Sequence, residues 1–177
     1  ALVTAVDSAR YAEAFAQCYV STDAREVDDR ELAAAIDHLN GLTGEEGYVT
    51  EVFCRQSRFF RPENGARIDA IRRGLDEDFA DSPLFPILLT SLVEAADRVD
   101  STTGVQMAYL KAWATRARKD LSLRIPELLV GPGVAIYGDA LEQVRNGLLG
   151  GFDLVYLDPP YNQHSYRSNY HIWETLV

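Results

Sequence analysis

Cysteine is scarce in this chain. Only Cys18 and Cys54 occur among 177 residues, and they do not have the spacing of metal ligands. The pattern describes no disulfide framework, and a reduced, cytoplasmic protein is the simplest reading. Long apolar runs are missing too. No segment approaches the roughly 20 residues that span a bilayer, which argues against a membrane partner. No basic-then-apolar run of the secretory type opens the sequence. Internal repeats and low-complexity tracts are absent. Basic charge is the remaining deficit: 17 Lys and Arg stand against 27 Asp and Glu, a formal net charge of −10. What is left is a globular composition, 47% hydrophobic, sufficient to bury a core in one domain or two small ones.

The charge is unevenly spread. Residues 51–75 carry six basic and three acidic side chains, and residues 105–125 carry five and one. Contact with phosphates needs a local basic surface, not a basic protein. An acidic total therefore leaves nucleic acid open as a partner, although charge alone favours ordinary solvated helix faces.

Hydrophobic periodicity gives the organisation. Ala1 to Val6 reads as a strand ending at Asp7, followed by a helix with Ser8 as cap and Tyr11, Phe15 and Tyr19 on one face. Leu32, Ile36 and Leu39 mark a helix that stops at Asn40-Gly41. Asn64 can cap a helix bearing Ile68, Ile71 and Leu75, and Ser82-Pro83 can start another through Val99. A further helix is expected over 105–119, after Ser101-Thr102-Thr103-Gly104. Strands resume at Val134–Tyr137, before Gly138-Asp139 and a short helix, and at Phe152–Leu157, which reads as a buried strand ending at Asp158. The fold class is therefore α/β: a parallel layer formed by 1–21 and 131–177, interrupted by a helical subdomain at 22–130.

In open α/β sheets ligands bind beyond the carboxyl ends of the strands. All three expected strands end in an acid: Asp7, Asp139 and Asp158. Asp7 could accept from a ribose or cap its helix. Asp139 could accept from an adenine amino group or cap the next helix. Asp158 opens the run Asp158-Pro159-Pro160-Tyr161. Asp-Pro-Pro is also a common strand exit, yet the run suits one chemistry well. The acid accepts from a planar amine, the prolines stiffen the loop and aim its carbonyls, and Tyr161 offers a ring face for a flipped base.

With Arg58-Phe59-Phe60, Asn64-Gly65-Ala66-Arg67-Ile68-Asp69, Thr102-Thr103-Gly104-Val105, Ala108-Tyr109-Leu110-Lys111, Tyr137-Gly138-Asp139-Ala140, Asp158-Pro159-Pro160-Tyr161-Asn162 and Tyr166-Arg167-Ser168-Asn169-Tyr170-His171, the chain resembles the adenine-specific DNA methylases. The resemblance implies a Rossmann-like sheet and methyl transfer from S-adenosylmethionine, without a metal, to the exocyclic amine of an adenine flipped from double-stranded DNA. It implies catalysis by Asp158, Pro159, Pro160 and Tyr161. Cofactor contacts would fall to Asp7, Asp139, Ala140 and Asp158. DNA contacts would fall to Arg55, Arg58, Arg61, Arg67, Lys111, Tyr166 and Asn169, mostly on the helical subdomain. His164 and His171 would be polar helpers or surface residues. Phe59 and Phe60 are better read as core. The two basic segments are expected on the face that presents Tyr161.

One departure stands out. A Phe-x-Gly-x-Gly cofactor turn is not found, and Gly131-Pro132-Gly133 precedes the wrong strand. The expectation is an excerpt of a longer protein, inactive alone. Two other readings stay open: an RNA guanine or adenine amino-methyltransferase, which the long helical insertion disfavours, and a DNA-binding module that has lost catalysis, which the intact Asp-Pro-Pro-Tyr run disfavours.

Overall fold

The computed structural model describes residues 1–159 and 166–177. Two strands, β1 (Val3–Asp7) and β2 (Gly133–Tyr137), pair in parallel with Asp7 opposite Tyr137. Gly138 N–H extends the ladder by donating to the Asp7 carbonyl at 2.8 Å. The parallel layer read from the sequence is thus present, and 125 residues of mainly helical chain connect its two strands.

The helices in order are α1 (Arg10–Ala16), α2 (Asp29–Gly41), α3 (Pro62–Phe79), α4 (Phe85–Asp97), α5 (Ala140–Arg145), α6 (Tyr166–Asn169) and α7 (His171–Leu176). Wider π-helical turns follow α1 at Gln17–Ser21 and precede α3 at Val49–Arg55. One hydrophobic core runs through them. It includes Leu32 and Leu39 of α2, Ile68, Ile71 and Leu75 of α3, Leu88 and Leu92 of α4, and Ile172 and Leu176 of α7. Phe59 and Phe60 belong to this core, as their reading anticipated. Helix α1 touches β1, β2, α4 and α7, so it joins the sheet to the helical layer. No helix among the described residues is long and apolar enough to cross a membrane.

Several local expectations are corrected. Ser8 does not cap α1: the cap position is Ala9, and Asp7 Oδ1 takes its N–H at 2.8 Å. Helix α3 starts earlier than Asn64, at Pro62, where a missing N–H costs nothing because first-turn donors are unpaired anyway. Helix α4 starts later than Ser82-Pro83, at Phe85, with Ser82 Oγ holding Leu84 N–H at 3.1 Å. The helix expected over 105–119 does not form. That backbone is engaged over long range: Gln106 N–H goes to Asn169 O at 2.9 Å and Leu110 N–H to Ser101 O at 2.8 Å. A Thr102–Tyr109 bridge and a short 3₁₀ turn at Arg116–Arg118 replace it.

The third strand, Phe152–Leu157, is also overturned as a buried element. It joins no ladder among the described residues, and Leu154 and Tyr156 are 87% and 85% exposed. An apolar run records the tendency to be buried, but a strand needs a neighbour to pair with, and among the described residues β1 and β2 pair only with each other.

The Asn64–Asp69 run turns out to be a joint. Asn64 Nδ2 donates to Lys119 O at 2.9 Å and its Oδ1 accepts from Leu121 N–H at 3.0 Å, pinning an irregular strand of chain against α3. Asp69 accepts from Gly47 N–H, Val49 N–H, Thr50 N–H and Thr50 Oγ1 at 2.7–2.9 Å, which closes the turn at 47–50. Gly65 lets that turn approach. A Cβ there would lie 2.3 Å from Cys54 Sγ and 3.2 Å from Thr50 Cα.

Gly65→Ala is therefore expected to destabilise the protein by about 1–3 kcal/mol through overpacking. Gly41→Ala, whose Cβ meets nothing within 4 Å, should be neutral or slightly stabilising. Urea denaturation of the two variants decides; equal midpoints would contradict the packing account. Burial also pushes the Cys54 thiol up to about 12 and the Cys18 thiol up to about 11. Both thiols are thus protonated at pH 8, where only the thiolate reacts. Iodoacetamide should label them far more slowly in the folded protein than in urea. Equal rates in the two states would show that the thiols are accessible.

Candidate active site

The carboxyl edge of the sheet collects two of the three acids. Asp7 and Asp139 sit at the ends of adjacent strands and both are exposed. Each is tied locally through one oxygen. Asp7 Oδ1 holds Ala9 N–H, and Asp139 Oδ1 holds Leu141 N–H at 2.8 Å and Glu142 N–H at 3.1 Å, capping α5. In neither residue does Oδ2 have a partner among the described residues. Capping and ligand binding are therefore not exclusive: the cap orients the carboxylate and leaves one oxygen facing outward. The Arg10 guanidinium stacks 3.7 Å over the Tyr137 ring beside them, forming one wall of this edge. Gly138 sits at φ +154, and a Cβ there would press on Gln143 Nε2 at 2.7 Å, so the turn between β2 and Asp139 favours glycine. Ala140, the first residue of α5, is exposed.

Asp158 and Pro159 are exposed at the end of the 152–157 run. Pro160, Tyr161 and His164 lie outside the described residues. The chain resumes at α6, which holds Tyr166 and Asn169.

The expected DNA contacts separate into groups. Arg55 Nη2 holds both oxygens of Glu46 at 2.7 Å and its Nη1 lies 3.6 Å from Glu51; Arg61 pairs with Glu63 at 3.1 Å. Exposed pairs of this sort are worth about 0–1 kcal/mol and exchange readily. Arg67 is committed inward, donating to the Leu42 carbonyl and, at 2.8 Å, to the Asn40 carbonyl at the end of α2. Arg58 does bring the two basic segments together. Its Nη1 donates to Lys111 O at 2.6 Å and its guanidinium lies 5.0 Å from the Trp113 ring centroid. Lys111 is exposed next to it. The expectation that this face also presents Tyr161 falls outside the described residues.

An aromatic cluster backs this surface. His171 lies edge-on to Phe53 and Phe59 at 5.7 and 5.5 Å, and Phe59 meets Tyr109 at 5.2 Å. Sequence reasoning missed the polar support beneath it. Asp100 is buried, pairs with Arg116, and accepts from Thr102 Oγ1 at 2.8 Å; Gly104 N–H then donates to Thr102 Oγ1 at 3.2 Å. Buried charge with a partner sixteen residues on leaves no local spacing to find.

Comparison with known proteins shows the family. Residues 2–177 match the model of the D12 class N6 adenine-specific DNA methyltransferases, and the chain belongs to that family. It is 34% identical over 152 residues to the type II methyltransferase M.NlaIII of Neisseria lactamica, covering 80% of this chain and 45% of that protein. It is 36% identical over 126 residues to the type II methyltransferase M.FokI of Planomicrobium okeanokoites, covering 67% of this chain and 19% of that protein. It is 28% identical over 135 residues to M.CviAII of Paramecium bursaria Chlorella virus 1, covering 74% of this chain and 40% of that protein. The chain thus spans less than half the length of these relatives. No solved structure gives a significant match.

Proposed function

We propose that the protein containing this chain transfers a methyl group from S-adenosylmethionine to the exocyclic N6 amine of adenine in double-stranded DNA, as the modification partner of a restriction system in the cytoplasm. One observation carries the reading: an Asp-Pro-Pro-Tyr run at Asp158–Tyr161 in a chain that belongs, over residues 2–177, to the N6 adenine-specific family. On this reading β1 and β2 are part of a Rossmann-like sheet, residues 1–21 and 131–177 belong to the methyltransferase domain, and residues 22–130 form the recognition subdomain.

The residues at the carboxyl edge fit the adenosine half of the cofactor. On this reading Asp7 Oδ2 accepts from ribose hydroxyls and Asp139 Oδ2 from the adenine amine; the caps that occupy Oδ1 of each leave that oxygen to do so. Ala140, next to Asp139, leaves room for the adenine ring. When bound, the cofactor supplies an electrophilic methyl group. The protein's task is to make a weak nucleophile attack it. The adenine amine is weak because its lone pair is delocalised into the ring. Hydrogen bonds from the amine to the Asp158 carboxylate and the Pro159 carbonyl localise that lone pair. The same acceptors stabilise the positive charge that builds on nitrogen before its proton leaves. Pro160 stiffens the loop, and Tyr161 stacks on the flipped base.

Arg58 and Lys111 are the best placed cations for phosphate contact. Arg55 and Arg61 can join them by exchanging surface partners, with Tyr166 and Asn169 following the catalytic run. Arg67 contributes by shaping the subdomain.

Asp158→Ala in the full-length protein should lower turnover by roughly 10²–10³-fold with cofactor and DNA affinity little changed. Tyr161→Phe should keep most activity because stacking needs only the ring. The assay is tritiated methyl transfer to duplex DNA, with the product base identified by mass spectrometry. Near-parental turnover for Asp158→Ala would end the proposed mechanism. Methylguanine, or methylation of RNA alone, would end the substrate assignment.

A further inference from the structure

The loop that replaces the expected helix at 102–109 is held rigid from behind. Thr102 is anchored to buried Asp100, Arg116 locks that acid, and Gly104 turns the chain at φ +105. Gln106 projects from this anchored loop and is only 2% exposed. It makes two bonds to the junction between α6 and α7. Its N–H donates to the Asn169 carbonyl at 2.9 Å, and its Oε1 accepts from Ile172 N–H at 2.7 Å. Ile172 lies in the first turn of α7, where backbone donors have no partner within the helix. The second bond fixes the amide's orientation, since only the oxygen can accept. Nε2 therefore points away from Ile172. It is shielded from solvent and has no partner among the described residues, and the same holds for Oδ1 of neighbouring Asn169.

We propose that Gln106 is a positioning residue for methyl transfer, an inference that rests on the activity proposed above. Helices α6 and α7 are the elements that directly follow the catalytic run. Gln106 is the polar bolt that fixes their junction to the recognition subdomain. Through that junction it sets where the Asp158 carboxylate stands relative to the docked base. Its backbone bond to Asn169 survives any substitution, but its side-chain bond is what holds Ile172 N–H, so loss of the side chain loosens the start of α7 without removing any group that touches substrate. Displacement of a reacting group by about an ångström is enough to lower a rate by as much as 10²-fold.

The test compares two variants in the full-length protein. Gln106→Met keeps the volume and removes both polar functions. Gln106→Glu keeps an acceptor for Ile172 N–H and replaces only the amide nitrogen. The readouts are single-turnover methylation rate, dissociation constants for duplex DNA and cofactor, and cooperative thermal melting. Gln106→Met should lower the rate roughly ten- to hundred-fold with both dissociation constants within about twofold of parental. Gln106→Glu should recover most of that rate. A parental rate for Gln106→Met overturns the proposal. So does a loss of rate matched by an equal loss of DNA binding, with no recovery in Gln106→Glu. If Gln106→Met does not fold, Gln106→Glu decides: a near-parental rate supports the acceptor role, and a deep loss of rate in a folded protein overturns it. Parental protein that methylates no adenine would instead refute the activity itself, which separates the two failures.

Discussion

The first turns of α3 carry the constraint on which the rest of the structure depends. Non-helical backbone leaves N–H and C=O groups without partners, and burying them unpaired costs about 1–3 kcal/mol each. This fold has two such stretches against α3: the turn at 47–50 and the extended chain at 117–121. Asn64 satisfies one and Asp69 the other, from positions a little over one turn apart on one helix. Arg67 adds a third service by taking the carbonyls at the end of α2. Gly65 is then required by proximity, because the turn that Asp69 gathers lies against the helix backbone. Remove the carboxylate, and several buried donors lose their acceptor at once. A motif that reads like a recognition element is thus first a device for joining irregular chain to a helix, and Phe59, Arg58 and the 102–109 loop stand on that joint.

Much of the fold could be read from the sequence where local pattern decides. The helical periods of Leu32–Leu39, Ile68–Leu75 and Leu88–Leu92 reported real core faces. Strand ends at Asp7 and Asp139 followed from apolar runs meeting a turn. The misreadings share a cause. Tyr109 and Trp113 have helical spacing, but the hydrogen bonds of 105–115 go to Ser101 and Asn169, partners far away in sequence or fixed by another loop. The run at 152–157 has the composition of a strand and, among the described residues, no strand beside it. Propensity states what a segment prefers; only the tertiary partners determine what it does.

The candidate site divides in the same way. Residue type identified the acids at the strand ends, because their chemistry and their place after a strand are both local. It could not say that each acid uses one oxygen for a cap and presents the other. Nor could it rank the arginines. Arg55, Arg58, Arg61 and Arg67 look alike in sequence, yet two are paired with exposed glutamates, one is bound to carbonyls inside the subdomain, and one stacks toward Trp113 beside Lys111. Gln106 carried no signal at all, since a lone glutamine after Thr-Thr-Gly-Val is ordinary until its partners at Asn169 and Ile172 are seen.

The net charge of −10 fits this division of labour. Acidic side chains neutralise cations that serve the fold: Glu45 for Arg73 and buried Asp100 for Arg116. The pairing leaves positive potential where carbonyls and aromatic faces, rather than carboxylates, hold the cation, as at Arg58 and Lys111. A phosphate approaching that surface meets charge with no carboxylate to displace, whereas at Arg55 and Arg61 it must first displace a glutamate. On the function proposed above, the acidic total is therefore compatible with docking a polyanion on the surface carried by the loop that Gln106 anchors to α6 and α7, because the cations there are not tied to carboxylates.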